Sequence, residues 1–239
     1  MAKLAIQLYT VRDHIDSAED LYAILPKLKE MGFDGVEFAG FHDADAKTLK
    51  AKLDEAGLVP VGAHIGMDEY EGDKLEETAR YVKELGLLYA GTGGAAHGTV
   101  EECEKIANTF RNAEPVLGVP TYYHNHTEEF TPLENGRTAM DIISDGTKLE
   151  IDTYWSFCAG VDNYKYITEN IDKIILVHMK DGIDRHPMAL TEGDCDLDAV
   201  ARAVKDTGIE WVILENDDPE PCGLEDAARS MEYLLKTFR

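Results

Sequence analysis

Four strand-like runs in the C-terminal half of the chain each end on side chains able to hold a metal ion. VPTYYHNH ends on His124 and His126, KLEIDTYW carries Asp152, KIILVHMKD carries His178, and EWVILENDD carries Glu215. Imidazole and carboxylate donors converging from separate strands suit a divalent ion such as Mn²⁺, Zn²⁺, Co²⁺ or Mg²⁺. Such an ion, chelated by vicinal oxygens of a polyhydroxylated molecule, would acidify a C–H beside a carbonyl and stabilise an enediolate. A carboxylate or imidazole at the site could then move the proton. Each candidate lies in or just past an apolar run, where an unpaired charge is costly. A shared site accounts for all four better than four separate buried charges do.

Alternation along a strand groups further residues with these. His124 and His126 are expected on one face, as are Asp152 with Tyr154 and His178 with Lys180. Lys180 is therefore a candidate to meet a developing oxyanion or a sugar hydroxyl. Trp155 could stack on a sugar face, packing being the equal alternative. Earlier strand ends offer Tyr9, Glu37 and His64, with His97 in a loop; Glu37 and His64 are candidate substrate contacts. The GTGG stretch at Gly91 to Gly94 lacks the Lys-Ser/Thr of a phosphate loop and reads as a rim turn.

These residues need a scaffold that brings strand ends together, and the chain alternates strand and helix throughout. KLAIQLYT precedes SAEDLYAILPKLKEMG, FDGVEFAG precedes DAKTLKAKLDEAG, and six similar pairs follow to EWVILEND and LEDAARSMEYLLKTF. Ser17 or Asp16 can cap the first helix, and Gly32, Gly57 and Gly86 each stand between a helix and an apolar strand. Eight consecutive units of roughly thirty residues predict a single-domain α/β fold, the (β/α)8 TIM barrel, over residues 1–239. In that fold the strand C-terminal ends form the active-site mouth.

Composition narrows the partners. The 239 residues carry a net charge of −24, which disfavours nucleic-acid phosphates and anionic membranes. Cys103, Cys158, Cys195 and Cys222 form no CxxC pair, so neither a disulfide framework nor a structural zinc site is expected. No apolar run is long enough to span a bilayer, and MAKLAIQLYT lacks the pattern of a cleaved signal, so a cytoplasmic protein is expected. The composition is compatible with a homo-oligomer.

The segments YHNHTEEF, LEIDTYW, VDNYKYI, LVHMKD, EGDCDLDAV and WVILEND resemble the xylose-isomerase-like TIM barrel superfamily, and the sugar phosphate isomerase/epimerase group in particular. The resemblance spans essentially the whole chain. It implies a divalent metal held by one ligand from each of strands five to eight: His124, Asp152, His178 and Glu215. Epimerases of the superfamily usually carry Glu at the first position. Here a His-Asn-His string resembling the inosose dehydratase pattern stands there, with His126 and Glu129 as alternatives to His124. The expected activity is a metal-dependent isomerase or epimerase of a small carbohydrate, with Glu215, His126 and Lys180 as catalytic candidates. A lyase acting on a keto-sugar or keto-inositol needs the same acidified carbon. A non-catalytic carbohydrate-binding barrel is the alternative of another class, and the acidic charge argues against a DNA-repair nuclease. The loop NDDPEP after the last strand has no anion nest, so a neutral substrate is expected over a phosphorylated one.

Overall fold

The computed structural model describes all 239 residues. Eight parallel strands close into a barrel in the order β1-β10-β7-β6-β5-β4-β3-β2. They are β1 (Lys3–Gln7), β2 (Gly35–Ala39), β3 (Val59–His64), β4 (Ala90–Thr92), β5 (Thr121–His124), β6 (Lys148–Asp152), β7 (Ile174–Met179) and β10 (Trp211–Leu214). The remaining two, β8 (Asp181–Ile183) and β9 (His186–Met188), form a separate antiparallel hairpin. The barrel strands are buried on both faces, as a helix-covered parallel sheet requires, which is why they read as apolar runs.

Helices cover the outside. Ser17 caps α1 (Ala18–Met31) by accepting from the Asp20 amide, and the adjoining Gly32, with φ 107°, turns the chain back toward β2. A capping box between Thr99 and Glu102 starts α4 (Val100–Leu117). Most of the apolar core lies between strands and helices, and a smaller cluster fills the barrel axis: Ala5, Val61, Tyr122, Leu176, Trp211 and Ile213.

Inward-facing residues change character along the strands. Two residues on from Ala5, Leu176 and Ile213 come Gln7, His178 and Glu215, while β2 supplies Glu37, and β6 supplies Glu150 and then Asp152. The barrel thus has an apolar floor, a buried polar throat and a mouth. Tyr122 crosses the throat, and glycines make room for it: a Cβ on Gly62 would lie 2.6 Å from its hydroxyl, and one on Gly91 2.5 Å from its ring. No helix is long and apolar enough to cross a membrane.

Two local features depart from simple alternation. Strand β5 stops at His124, because the Asn125 side chain turns to accept from the Asp152 amide at 3.0 Å and donates to the His126 carbonyl at 3.1 Å. His126 therefore does not share the inward face with His124; its side chain is 45% exposed. Likewise Asp152 ends β6 and caps the short α6 (Thr153–Cys158), so Tyr154 is helical and packs toward the hairpin.

Candidate metal and sugar site

His124, Asp152, His178 and Glu215 come together at the mouth, with one donor atom from each lying within 4.8 Å of the others. Strand register delivers them: Asp152 lies beside His178 across β6 and β7, and Glu215 follows the last residue of β10. His124 Nε2 is 3.4 Å from Asp152 Oδ2 and 3.6 Å from Glu215 Oε2, and His178 Nδ1 is 3.0 Å from Glu215 Oε2. Asp152 uses Oδ1 to accept from the amides of Tyr154 and Trp155, at 3.0 and 2.8 Å. That cap fixes the carboxylate and leaves Oδ2 turned to the mouth.

Burial makes this arrangement demanding. His124 is 2% exposed, yet neither ring nitrogen has a hydrogen-bond partner, and Asp152 Oδ2 has none either. Buried polar atoms are nearly always hydrogen-bonded, so the two bare His124 nitrogens beside the Asp152 and Glu215 carboxylates suit a ligand held between them. Two imidazoles and two carboxylates form a donor set of the kind that holds Zn²⁺ or Mn²⁺, so the residues present fit a divalent ion. Without one, burial pulls the His124 imidazole toward its neutral form, but Asp152 and Glu215 outweigh it and push the pKa up to about 10. Burial favours a neutral Glu215 too, yet Lys180 and His178 hold its carboxyl well below the usual range.

Lys180 completes the mouth. Fully buried just past β7, its ammonium lies 3.2 Å from Asp152 Oδ2 and 3.1 Å from Glu215 Oε2, and donates to Asp217. It sits 4.9 Å from the centre of the Trp155 ring, which places Trp155 against the cation at the edge of the site. Burial works against the charged lysine, but Asp152, Glu215 and Asp217 raise its pKa above the ordinary value.

Beneath the mouth lies a second cluster of Glu37, His64, Glu150 and His178. His178 Nε2 is 2.6 Å from Glu37 Oε2 and 3.1 Å from Glu150 Oε1, while His64 Nε2 is 2.8 Å from Glu150 Oε2. Glu37 also accepts from Gln7 Nε2 at 2.9 Å and from the Tyr122 hydroxyl. Glu37 is 0% exposed and lies behind His178, so its contacts are with the throat. His64 is partly exposed, with its ring 5.1 Å from that of His124. Glu129 is buried away from the mouth cluster, accepting from Tyr123 and the His126 amide. Sequence reasoning passed over Glu150, Gln7, Tyr122 and Asp217. Glu150 carried a usable signal, since it stands two residues before Asp152 and must share its face.

A family model described as xylose isomerase-like TIM barrel matches residues 25–236. The chain belongs to this family. Among curated proteins, an inosose dehydratase from Geobacillus kaustophilus (strain HTA426) is 24% identical over 203 residues, covering 72% of this chain and 66% of that protein, just under two thirds of its length. Among solved structures, a sugar phosphate isomerase/epimerase from Parabacteroides distasonis ATCC 8503 superposes with a TM-score of 0.83 at 20% identity, covering 99% of this chain and 98% of that one. The IOLI protein with a binding zinc atom gives a TM-score of 0.76 at 16% identity, covering 98% and 97%. At these identities the structural likenesses establish the barrel; members of the family differ in what they do.

Proposed function

We propose that the protein is a metal-dependent isomerase or epimerase of a small carbohydrate, with His124, Asp152, His178 and Glu215 as metal ligands. The observation that carries this reading is the buried His124 ring, with no hydrogen bond at either nitrogen, 3.4 Å from Asp152 Oδ2 and 3.6 Å from Glu215 Oε2. The zinc in the IOLI structure and the epimerase name of the Parabacteroides protein point the same way. A divalent ion bound there supplies Lewis-acid polarisation of a carbonyl and its neighbouring hydroxyl.

The chain's own residues supply the proton chemistry. Glu215, held as a carboxylate beside Lys180 and His178, is the base that takes the proton from the carbon between the two oxygens. The Lys180 ammonium faces the negative charge left on the substrate oxygen. His126, at the rim with its ring 5.2 Å from that of His124, is the candidate to pass a proton between the mouth and solvent. Trp155 borders the site beside Lys180, and His64 offers the contact on the side of β3. Glu37 acts behind His178, orienting its ring. The substrate is neutral: Lys180 is engaged by three carboxylates, and the exposed Arg185 lies 3.6 Å from Glu128, so neither cation is free for a phosphate. A cytoplasmic location belongs to the same proposal.

Elimination is the second reading, and His124 favours it. At the two positions where epimerases pair carboxylates, this chain has His124 and Glu215. One base and one acid, Glu215 with Lys180 or His126, suffice to expel a β-leaving group from a keto-sugar or keto-inositol. The dehydratase relative is consistent with that chemistry. Incubating the Mn²⁺-loaded protein with a keto-sugar and keto-inositol panel in D₂O, followed by NMR, separates the two. Solvent deuterium in recovered sugar supports isomerisation or epimerisation, and an unsaturated product supports elimination. Neither outcome with any substrate refutes both.

A further inference from the structure

A cavity of 640 Å³ opens beside the mouth, between the loops that follow β2 and β3 and the start of the helical layer behind them. That volume falls within the range of about 300–1,000 Å³ occupied by small-molecule sites. None of His124, Asp152, His178 or Glu215 lines it, so it is additional to the space at the metal ligands. Its link to them is His64, whose ring is 5.1 Å from His124 and 5.6 Å from His178. His64 thus borders both the cavity and the two mouth histidines.

Its walls combine an aromatic face with polar groups. The half-buried Phe41 ring packs 4.4 Å from Tyr81 and 5.4 Å from Phe38, and the Tyr81 hydroxyl donates to the Ala44 carbonyl at 2.8 Å, tying the loop to α3 (Gly72–Leu85). Beside Phe41, His42 and Asp43 both adopt the left-handed region, with φ 50° and 57°. Consecutive non-glycine residues in that region are uncommon and are found where a loop is held to a particular shape. The side chains of His42, Asp43 and Glu77 make no hydrogen bond or ion pair within the protein and remain available to a ligand. An aromatic ring presents a face to the C–H side of a sugar, and carboxylates accept from its hydroxyls. The carboxylates of Asp43 and Glu77, with no Lys or Arg in the lining, make the same walls a poor fit for phosphate.

We infer that this cavity is a second subsite holding a neutral sugar ring attached to the ring at the metal ligands, so that the substrate class is a glycoside or disaccharide rather than a free monosaccharide. The inference rests on the reading of the mouth as a sugar site. It predicts that binding strength comes from both rings, while the chemistry stays at the mouth.

The test compares D-fructose with four ketose disaccharides of different linkage (isomaltulose, turanose, leucrose and lactulose) on the Zn²⁺-loaded protein by calorimetry and saturation-transfer NMR. At least one disaccharide should bind ~10-fold more tightly than D-fructose, the scale of discrimination that one added pocket contact gives. Phe41→Ala and Asp43→Asn should each erase most of that advantage and leave D-fructose affinity unchanged. Asp43 is exposed, so the second variant stays informative if the first folds poorly. D-Fructose binding with no disaccharide binding better overturns the subsite and leaves the sugar site standing. A disaccharide advantage that survives both substitutions also overturns it, because the second ring must then lie elsewhere. Failure of D-fructose and all four disaccharides to bind overturns the sugar site and the subsite together.

Discussion

The mouth and the throat of this barrel are built from the same residue types and share His178, yet they are satisfied to different degrees: the throat leaves only Glu150 Oε1 without a hydrogen bond, 3.1 Å from His178 Nε2. In the throat, Glu37 accepts from Gln7, Tyr122 and His178, and Glu150 is bridged to His64. In the mouth, His124 has no hydrogen bond at either nitrogen, and the two carboxylates there share a lysine that also serves Asp217. A buried polar group whose hydrogen bonds the protein supplies acts as scaffold, whereas an imidazole with both nitrogens bare between two carboxylates suits a ligand. The distinction lies in the surroundings of a cluster, since its composition is nearly the same in both places.

The sharpest way to break the comparison is Glu215→Gln, which keeps the shape and removes the proposed base. Turnover should fall by about 10³-fold, within the range for losing a general base. Elemental analysis should show metal lost along with activity; full occupancy in this variant would refute Glu215 as a ligand. Lys180→Met comes next, with turnover down about 10²-fold, the scale of one lost electrostatic donor at a reacting oxygen. Its metal content should hold or rise, because the competing ammonium is gone from Asp152 and Glu215. A Lys180→Met protein that loses its metal would show that the lysine orders the ligands and does not face the substrate.

The mouth was legible in the sequence where the throat was not, and the reason is physical. Residues at the ends of apolar runs announce themselves, because a strand that finishes on His124, Asp152, His178 or Glu215 must do something with the charge. Glu150 stands inside KLEID, where an alternating polar residue reads as facing solvent. Only the inward direction of Asp152 fixes the direction of Glu150. Eight strand–helix units were readable because strands buried on both faces are continuous apolar runs, and because Gly32, Gly57 and Gly86 punctuate the returns. The hairpin of β8 and β9 was not readable. Its turn residues, Asp184 and Arg185, take φ 51° and 67° without the Asn-Gly or Asp-Gly signal that marks such turns. Parity succeeded for Lys180, where the chain runs on extended one residue past β7, and failed for His126 and Tyr154, where the Asn125 side chain and the Asp152 helix cap turn the chain at the strand end.

Glu37→Gln tests the throat as scaffold. The variant keeps the volume and removes an acceptor from His178 Nε2 in a fully buried setting. Partners one step behind a metal ligand typically cost 10–100-fold in metal affinity when altered, so the dissociation constant for Zn²⁺ should rise by about 10-fold. Unfolding in urea should show a loss of about 3 kcal/mol, as expected when a buried charged pair loses one member. Glu37→Gln with unchanged metal affinity would detach the throat from the site and leave it a purely structural network.

Metal affinity and stability should also depend on pH, through the His124 ring that faces Asp152 at 3.4 Å and Glu215 at 3.6 Å. In the metal-free protein its pKa is pushed up to about 10, against 6.5 for an ordinary histidine. A raised folded value means the protonated ring stabilises the fold; that contribution is complete below about pH 6.5 and disappears as pH rises through about 10. The melting temperature of the metal-free protein should therefore decline across that window. Metal ligation needs the ring unprotonated, so binding must expel the proton from His124, and another from His178, whose pKa Glu150, Glu215 and Glu37 hold well above the ordinary value despite burial. Affinity for Zn²⁺ should consequently increase with pH between about 7 and 9, by about tenfold per unit for each proton expelled. Chelator-buffered titrations at pH 7, 8 and 9, with calorimetry in two buffers of different ionisation enthalpy, give the slope and the proton count. The metal-loaded protein should lose the downward drift in melting temperature, because the ligated imidazole no longer titrates. Affinity that stays flat over these pH values would mean the His124 nitrogens are not ligands, and the difference between mouth and throat would lose its chemical meaning.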